Sequence, residues 1–152
     1  MTKQDYRVSI SAPVSASDAY DKIARVSEWW AKDFQGSARY VGDVFTVRFG
    51  ETFVDFKITE AVAGSKVVWH VTNCYLPWLK DKTEWNDTNV IFGIAASPNG
   101  TTVNLTHEGL TPEVECFDGC VQGWNQYFGG SFQQFLTDGC GMPNTVCRNS
   151  PK

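Results

Sequence analysis

The most constraining feature of the sequence is its C-terminal part, residues 112–137, where large apolar side chains repeat with the period of an α-helix. At 100° per residue, one narrow sector of this helix carries Phe117, Val121, Trp124, Phe128 and Phe135, flanked by Val114 and Phe132. Interior glycines each cost about 1 kcal/mol relative to alanine, so this helix is weak alone. Burying three of its rings yields on the order of 11–19 kcal/mol gross. The helix is therefore expected to form against another apolar surface.

The preceding sequence alternates between apolar and polar residues, which predicts β-strands. The predicted strands are residues 6–11, 44–49, 53–58, 66–72, 89–96 and 101–108. Turns are expected at Gly50-Glu51 and at Pro98-Asn99-Gly100. Two short helices are predicted after the first strand, one capped by Ser17 and one over 27–32. This order predicts an α+β fold, with the long helix packed on one face of a curved antiparallel sheet.

Length and composition limit the class of protein. The 152 residues predict a single domain, 1–152, with a core at about 6–143 and a loose C-terminal tail. A net charge of -4 argues against a nucleic-acid surface. We expect no membrane span, since no apolar run approaches about 18 residues, and the N-terminus lacks the apolar stretch of a signal peptide. A cytoplasmic location follows, and the odd count of 5 cysteines favours reduced thiols.

The high aromatic content, 14% of the residues, indicates where a ligand would bind. The helical stripe is either simple core or the lining of a cavity, because flat rings on a concave sheet do not easily reach normal packing density. In the second case we expect the ligand among Trp30, Phe45, Phe56, Trp69, His107, Trp124 and Phe128. The connection after the strand at 66–72 carries an apolar patch, and Leu76, Trp78 and Leu79 are expected to form a lid.

Two groups are candidates for chemistry. His107 shares a strand face with Val103 and Leu105, so it should point inward as a satisfied core residue or as an acid/base. Cys116 and Cys120 are four residues apart on the helix. They are expected to act as small buried hydrophobic residues or, alternatively, as a redox pair. The sequence lacks the paired Cys-x-x-Cys spacing of zinc sites, a phosphate loop and a dinucleotide fingerprint. We therefore expect no metal and no cofactor.

The opposite sector of the long helix carries Gly119, Gly123 and Gly130. Glycines in that position either face solvent or permit close approach of the lid or of another chain. A homodimer is one assembly that such a face would allow.

The order of several short motifs resembles that of a known family. These motifs are Trp29-Trp30, Gly42-Asp43, Val67-Val68-Trp69, Glu84-Trp85-x-x-Thr88, Leu105-Thr106-His107-Glu108-Gly109-Leu110, Gly123-Trp124-x-x-Tyr127, Ser131-Phe132 and Gly139-x-Gly141-x-Pro143. From about Tyr6 to Pro143 the chain resembles the activator of Hsp90 ATPase homologue (AHSA1-like) family of the START/Bet v 1-like (SRPBCC) superfamily.

The resemblance implies a helix-grip fold, in which the sheet wraps around the C-terminal helix and leaves a cavity. It also implies that members often bind hydrophobic small molecules, that a minority are enzymes, and that the family shares no catalytic set. The chaperone activator that names the family has a further N-terminal domain, for which 152 residues leave no room, so the chaperone role is not expected. We predict a binding protein for a hydrophobic or aromatic small molecule. The alternatives are an enzyme with His107 as acid/base, or an interaction module that uses Leu76–Leu79 or the glycine face.

Overall fold

Seven antiparallel strands form one sheet in the order β1-β7-β6-β5-β4-β3-β2. The computed structural model describes residues 6–31, 33–49, 51–77, 79–80, 82–111 and 117–138. The strands are β1 (Tyr6–Ala12), β2 (Asp33–Gly36), β3 (Val44–Phe49), β4 (Thr52–Val62), β5 (Lys66–Tyr75), β6 (Asn89–Ser97) and β7 (Gly100–Glu108). All six neighbouring pairs run antiparallel.

Helices follow the first and the last strand of the chain. α1 (Ala16–Ile23) and α2 (Val26–Trp29) follow β1, and a long C-terminal helix follows β7. The latter consists of α3 (Phe117–Gln126), a π-helical segment (Tyr127–Phe132) and α4 (Gln133–Asp138). The structure confirms the α+β helix-grip fold with two short helices after the first strand. None of the helices in these residues combines the length and apolar character needed to cross a bilayer.

The apolar stripe of the C-terminal helix packs into the core, as predicted. Trp124, Phe128 and Phe135 are at most 2% exposed. Phe132, expected at the edge of the stripe, is fully buried because the π-helical segment changes the rotation between successive side chains. The predicted start of the helix, including Val114 and Cys116, lies outside the described residues.

The cap of α1 differs from the prediction. Ser15, and not Ser17, precedes the helix in an extended conformation, and its Oγ accepts a hydrogen bond from the backbone N–H of Asp18 at 3.0 Å. That bond satisfies one of the amide groups that a helix leaves free at its N-terminus. The prediction of Ser17 as the cap was therefore wrong by two residues.

Strand β2 was not predicted from the sequence. It lies at an edge of the sheet, pairs only with β3, and has no buried residue to create an alternating pattern. Strands β4 and β5 also extend beyond their predicted ends, to Val62 and Tyr75. Two register shifts in their pairing interrupt the alternation that would have indicated their length.

Candidate ligand-binding site

A half-open apolar pocket of about 140 Å³ lies between α3, the β3–β4 hairpin and the connection from β5 to β6. Its described wall consists of Trp30, Phe49, Thr52, Val54, Leu76, Trp85, Gly119, Cys120, Gly123, Trp124 and Tyr127. None of these residues carries a formal charge. An apolar cavity of about 150 Å³ is large enough for benzene, so this pocket suits a guest the size of one ring.

Five aromatic side chains form a continuous part of the wall, and we call them the aromatic arc. Trp85 stacks on Trp124 with ring centroids 6.0 Å apart, and Trp124 lies 5.1 Å from Trp30. The arc continues from Trp30 to Phe49 at 6.2 Å and from Phe49 to Tyr127 at 5.8 Å. These separations are within the range of favourable aromatic contact, so the rings support one another.

Two glycines of α3 contribute the space that the pocket occupies. A Cβ atom built on Gly119 or Gly123 would meet no atom within 4 Å, and both residues line the pocket. Gly119 and Gly123 are therefore not in close contact with the described part of the β5–β6 connection. Instead, the missing side chains leave room beside the aromatic arc.

The predicted ligand residues separate into two groups. Trp30 and Trp124 line the pocket, whereas Phe45, Phe56, Trp69, His107 and Phe128 are not part of its described wall. Phe45, Phe56 and Trp69 pack on one another, with centroid separations of 5.0–5.2 Å, and Phe128 lies 6.0 Å from Phe92. Aromatic side chains thus occupy the centre of the helix–sheet interface. The ligand-binding role of the whole set stays a prediction.

His107 lies behind the pocket wall and holds part of it in place. The indole N–H of Trp124 donates to His107 Nδ1 at 3.1 Å, which leaves the ring proton on Nε2. Nε2 then donates to Thr88 Oγ1 at 2.9 Å, and the Thr88 hydroxyl donates to the Trp85 carbonyl at 2.6 Å. The ring of Trp85 also meets the imidazole edge-on at 4.5 Å.

The environment of His107 favours a neutral imidazole. Complete burial lowers the pKa of His107 from 6.5 to about 3, because a charged ring would lose its hydration. Both nitrogens are engaged, and the residue is not on the described wall of the pocket. These features identify a positioning residue for Trp124 and Trp85 and do not favour acid/base chemistry. The hydrogen-bond partners of His107 are the side chains of Trp124 and Thr88, whereas a core histidine commonly bonds to a backbone carbonyl.

The connection from β5 to β6 contributes one predicted lid residue and one unexpected residue to the wall. Leu76 borders the pocket, while Leu79 is buried and Trp78 lies outside the described residues. Movement of this connection as a lid stays a prediction. Trp85 was not among the predicted ligand residues, although a tryptophan beside an apolar patch was a usable signal.

Cys120 lies on the pocket wall, where its sulfur accepts a hydrogen bond from Trp85 Nε1 at 3.3 Å. It is disulfide-bonded. The prediction of reduced thiols is therefore wrong for Cys120, since an odd count of cysteines says nothing about which of them meet in space. The expected cytoplasmic location stays a prediction.

Metal ligands do not cluster in the part of the chain that the structure describes. No group of three or more His, Cys, Asp or Glu side chains there could hold a metal ion.

No family model and no curated protein matches the sequence. Among solved structures, the Aha1 dimer from Colwellia psychrerythraea is similar, with a TM-score of 0.74 and 22% identity over 91% of this chain and 99% of that chain. DynU16, a putative protein of the dynemicin biosynthetic locus, has a TM-score of 0.69 and 16% identity over 92% of this chain and 49% of its own. CalU16 from Micromonospora echinospora has a TM-score of 0.66 and 13% identity over 88% and 74%. The chain shares its fold with these proteins.

Proposed function

We propose that the protein binds an apolar small molecule in the pocket beside α3. The observation that carries this proposal is the aromatic arc around a space of about 140 Å³. Ligand sites are concave and mostly apolar, and here the wall residues cannot close the space because Gly119 and Gly123 have no side chains. The SRPBCC fold supports the proposal, since cavities that bind hydrophobic molecules are frequent in that superfamily.

A titration with toluene tests this proposal directly. Three tryptophans line the pocket, so binding should change the indole fluorescence, and native mass spectrometry should show a one-to-one complex. The variant Gly123→Leu places a side chain in the pocket and should abolish binding. Gly129→Leu is the matched control, since Gly129 has similar open space but does not line the pocket. Absence of any complex with toluene, phenol or indole would reject the proposal.

The enzyme alternative has no support from His107. The imidazole is neutral, fully hydrogen-bonded and separated from the pocket by the side chains that it positions. A substrate in the pocket would meet indole rings and not the imidazole.

A homodimer is a second proposal, and a surface feature favours it. Tyr40, Val41 and Val44 are 59–70% exposed beside the edge strand β2. The Asp43 carboxylate orders this turn by accepting hydrogen bonds from the backbone N–H groups of Tyr40 and Arg39. Exposed apolar groups on an ordered turn are typical of an interaction surface, and the similar Colwellia Aha1 structure is described as a dimer.

Sedimentation equilibrium at micromolar concentration tests the dimer. Val41→Lys should shift the protein to a monomer. Val62→Lys, which changes another exposed valine at the end of β4, should leave the assembly unchanged. A monomer at every concentration of the unmodified chain would reject this proposal.

A further inference from the structure

The described wall of the pocket includes a threonine whose orientation is set by the sheet. Thr52 is the first residue of β4 and lies two residues before Val54, which is buried in the core. Alternate residues of a strand share a face, so the side chains of Thr52 and Val54 both lie on the inner face of the sheet. Both line the pocket, and so does Phe49, the partner of Thr52 across the β3–β4 hairpin. The Thr52 hydroxyl branches from the Cβ atom and therefore lies on the same inner face.

The Thr52 hydroxyl is available for a hydrogen bond, whereas two N–H groups of the wall are already engaged. Trp85 Nε1 donates to Cys120 Sγ at 3.3 Å, and Trp124 Nε1 donates to His107 Nδ1 at 3.1 Å. The side chain of Thr52 is half-buried, and no hydrogen bond joins its hydroxyl to another residue in the described part of the chain. A threonine hydroxyl both donates and accepts, so it can pair with a polar group of a ligand in either sense.

The chemistry of the described wall limits the polar group that a ligand can carry into the pocket. An ammonium or a carboxylate would lose its hydration there, and the described wall offers no residue of opposite charge in compensation. A group with several N–H or O–H donors would need more partners than one hydroxyl supplies. A single neutral hydroxyl on the ligand is the group that Thr52 alone can satisfy. On an aromatic ring such a hydroxyl stays neutral at pH 7, as that of tyrosine does.

From these features we infer that the pocket recognises a small phenol, with the ring against the apolar wall and the hydroxyl bonded to Thr52. The inference rests on the proposed function, because it names the chemical class of the ligand for the same pocket. A space of about 140 Å³ suits a molecule of one ring, and the hydroxyl adds a single heavy atom.

Two probes of nearly the same shape test the inference by calorimetry. Phenol has a hydroxyl where toluene has a methyl group, and Thr52→Val makes the corresponding exchange in the protein. The two probes and the two proteins therefore form a cycle that isolates the hydrogen bond from apolar contact. The ratio of the Kd of phenol to the Kd of toluene should rise about two- to twelvefold in Thr52→Val. Thr52→Ser keeps a hydroxyl and should retain most of the ratio of the unmodified protein.

Thr106→Val is the matched control, because Thr106 is also a half-buried threonine of a strand but is not part of the described pocket wall. This variant should leave the ratio of the two Kd values unchanged. An unchanged ratio in Thr52→Val, or an equal rise in Thr106→Val, would overturn the inference, while binding of toluene would still support the proposed function. Binding of indole alone would likewise overturn the inference and leave the proposed function intact. Failure of phenol, toluene and indole to bind would reject both.

Discussion

The indole N–H of Trp124 donates a hydrogen bond to His107 Nδ1 at 3.1 Å, where the imidazole is completely buried. The bond joins the C-terminal helix to strand β7 and sets the tautomer of the histidine. Because Trp124 also lines the pocket, a residue of the core determines the position of a ring in the wall. The hydrogen bond to His107 therefore holds that ring in place.

Replacing His107 by alanine should destabilise the protein strongly. The change creates a cavity and leaves the Trp124 indole N–H without its acceptor, which together should cost about 2–4 kcal/mol of the free energy of unfolding. Urea denaturation measures this loss. His70→Ala is the matched control, because His70 lies on a partly exposed sheet surface and its loss should cost about 1 kcal/mol or less. Equal effects of the two substitutions would contradict a positioning role for His107.

Stability should fall as the pH is lowered below about 6.5. Burial holds the pKa of His107 at about 3 in the folded state, whereas the unfolded chain takes up a proton near 6.5. Protonation therefore favours unfolding between these two values, and at pH 5 the loss should be about 2 kcal/mol.

Urea midpoints at pH 7, 6 and 5 measure this dependence. The slope should flatten in His107→Gln, because glutamine does not titrate, and should persist in His70→Gln. The same slope in the unmodified protein and in His107→Gln would show that another group is responsible.

Gly123→Ala should have opposite effects on the stability of the protein and on its affinity for a ligand in the pocket. The added methyl group meets no atom within 4 Å, so the gain in helix propensity should raise stability by about 0.5–1 kcal/mol. The same methyl group occupies part of the pocket and should weaken toluene binding several-fold. Gly129→Ala, away from the described pocket wall, should leave the affinity unchanged. Unaltered toluene binding by Gly123→Ala would place the ligand elsewhere.

Ser15→Ala should destabilise the protein by about 1 kcal/mol, because it removes the hydroxyl that caps α1. Ser17→Ala, one residue inside the helix, should change stability by less than about 0.5 kcal/mol. Thermal unfolding of the two variants gives the comparison. A larger loss of stability in Ser17→Ala would indicate that Ser17 caps the helix, as expected from the sequence.

Regular patterns in the sequence were sufficient to predict a helix or strand where one face of that element is buried along its whole length. Strand β3 follows its predicted period, and Trp124, Phe128 and Phe135 are buried as predicted, because the core lies along one face of each element. Strand β2 escaped prediction because an exposed edge strand has no such constraint. The position of the pocket could not be predicted, because Phe49, Trp85 and Tyr127 meet only through the packing of three separate elements.

Local chemistry in the chain was enough to predict an α+β fold with the long helix on one face of a curved sheet, since alternation, helical period and their order each depend on near neighbours. The location of open space depended on long-range packing. Rings at the centre of the interface fill it, whereas the absence of side chains at Gly119 and Gly123 leaves a gap at the start of the helix. The chemistry available to His107 was likewise settled by the distant partners Trp124 and Thr88, because burial and hydrogen bonding determine whether an imidazole can titrate.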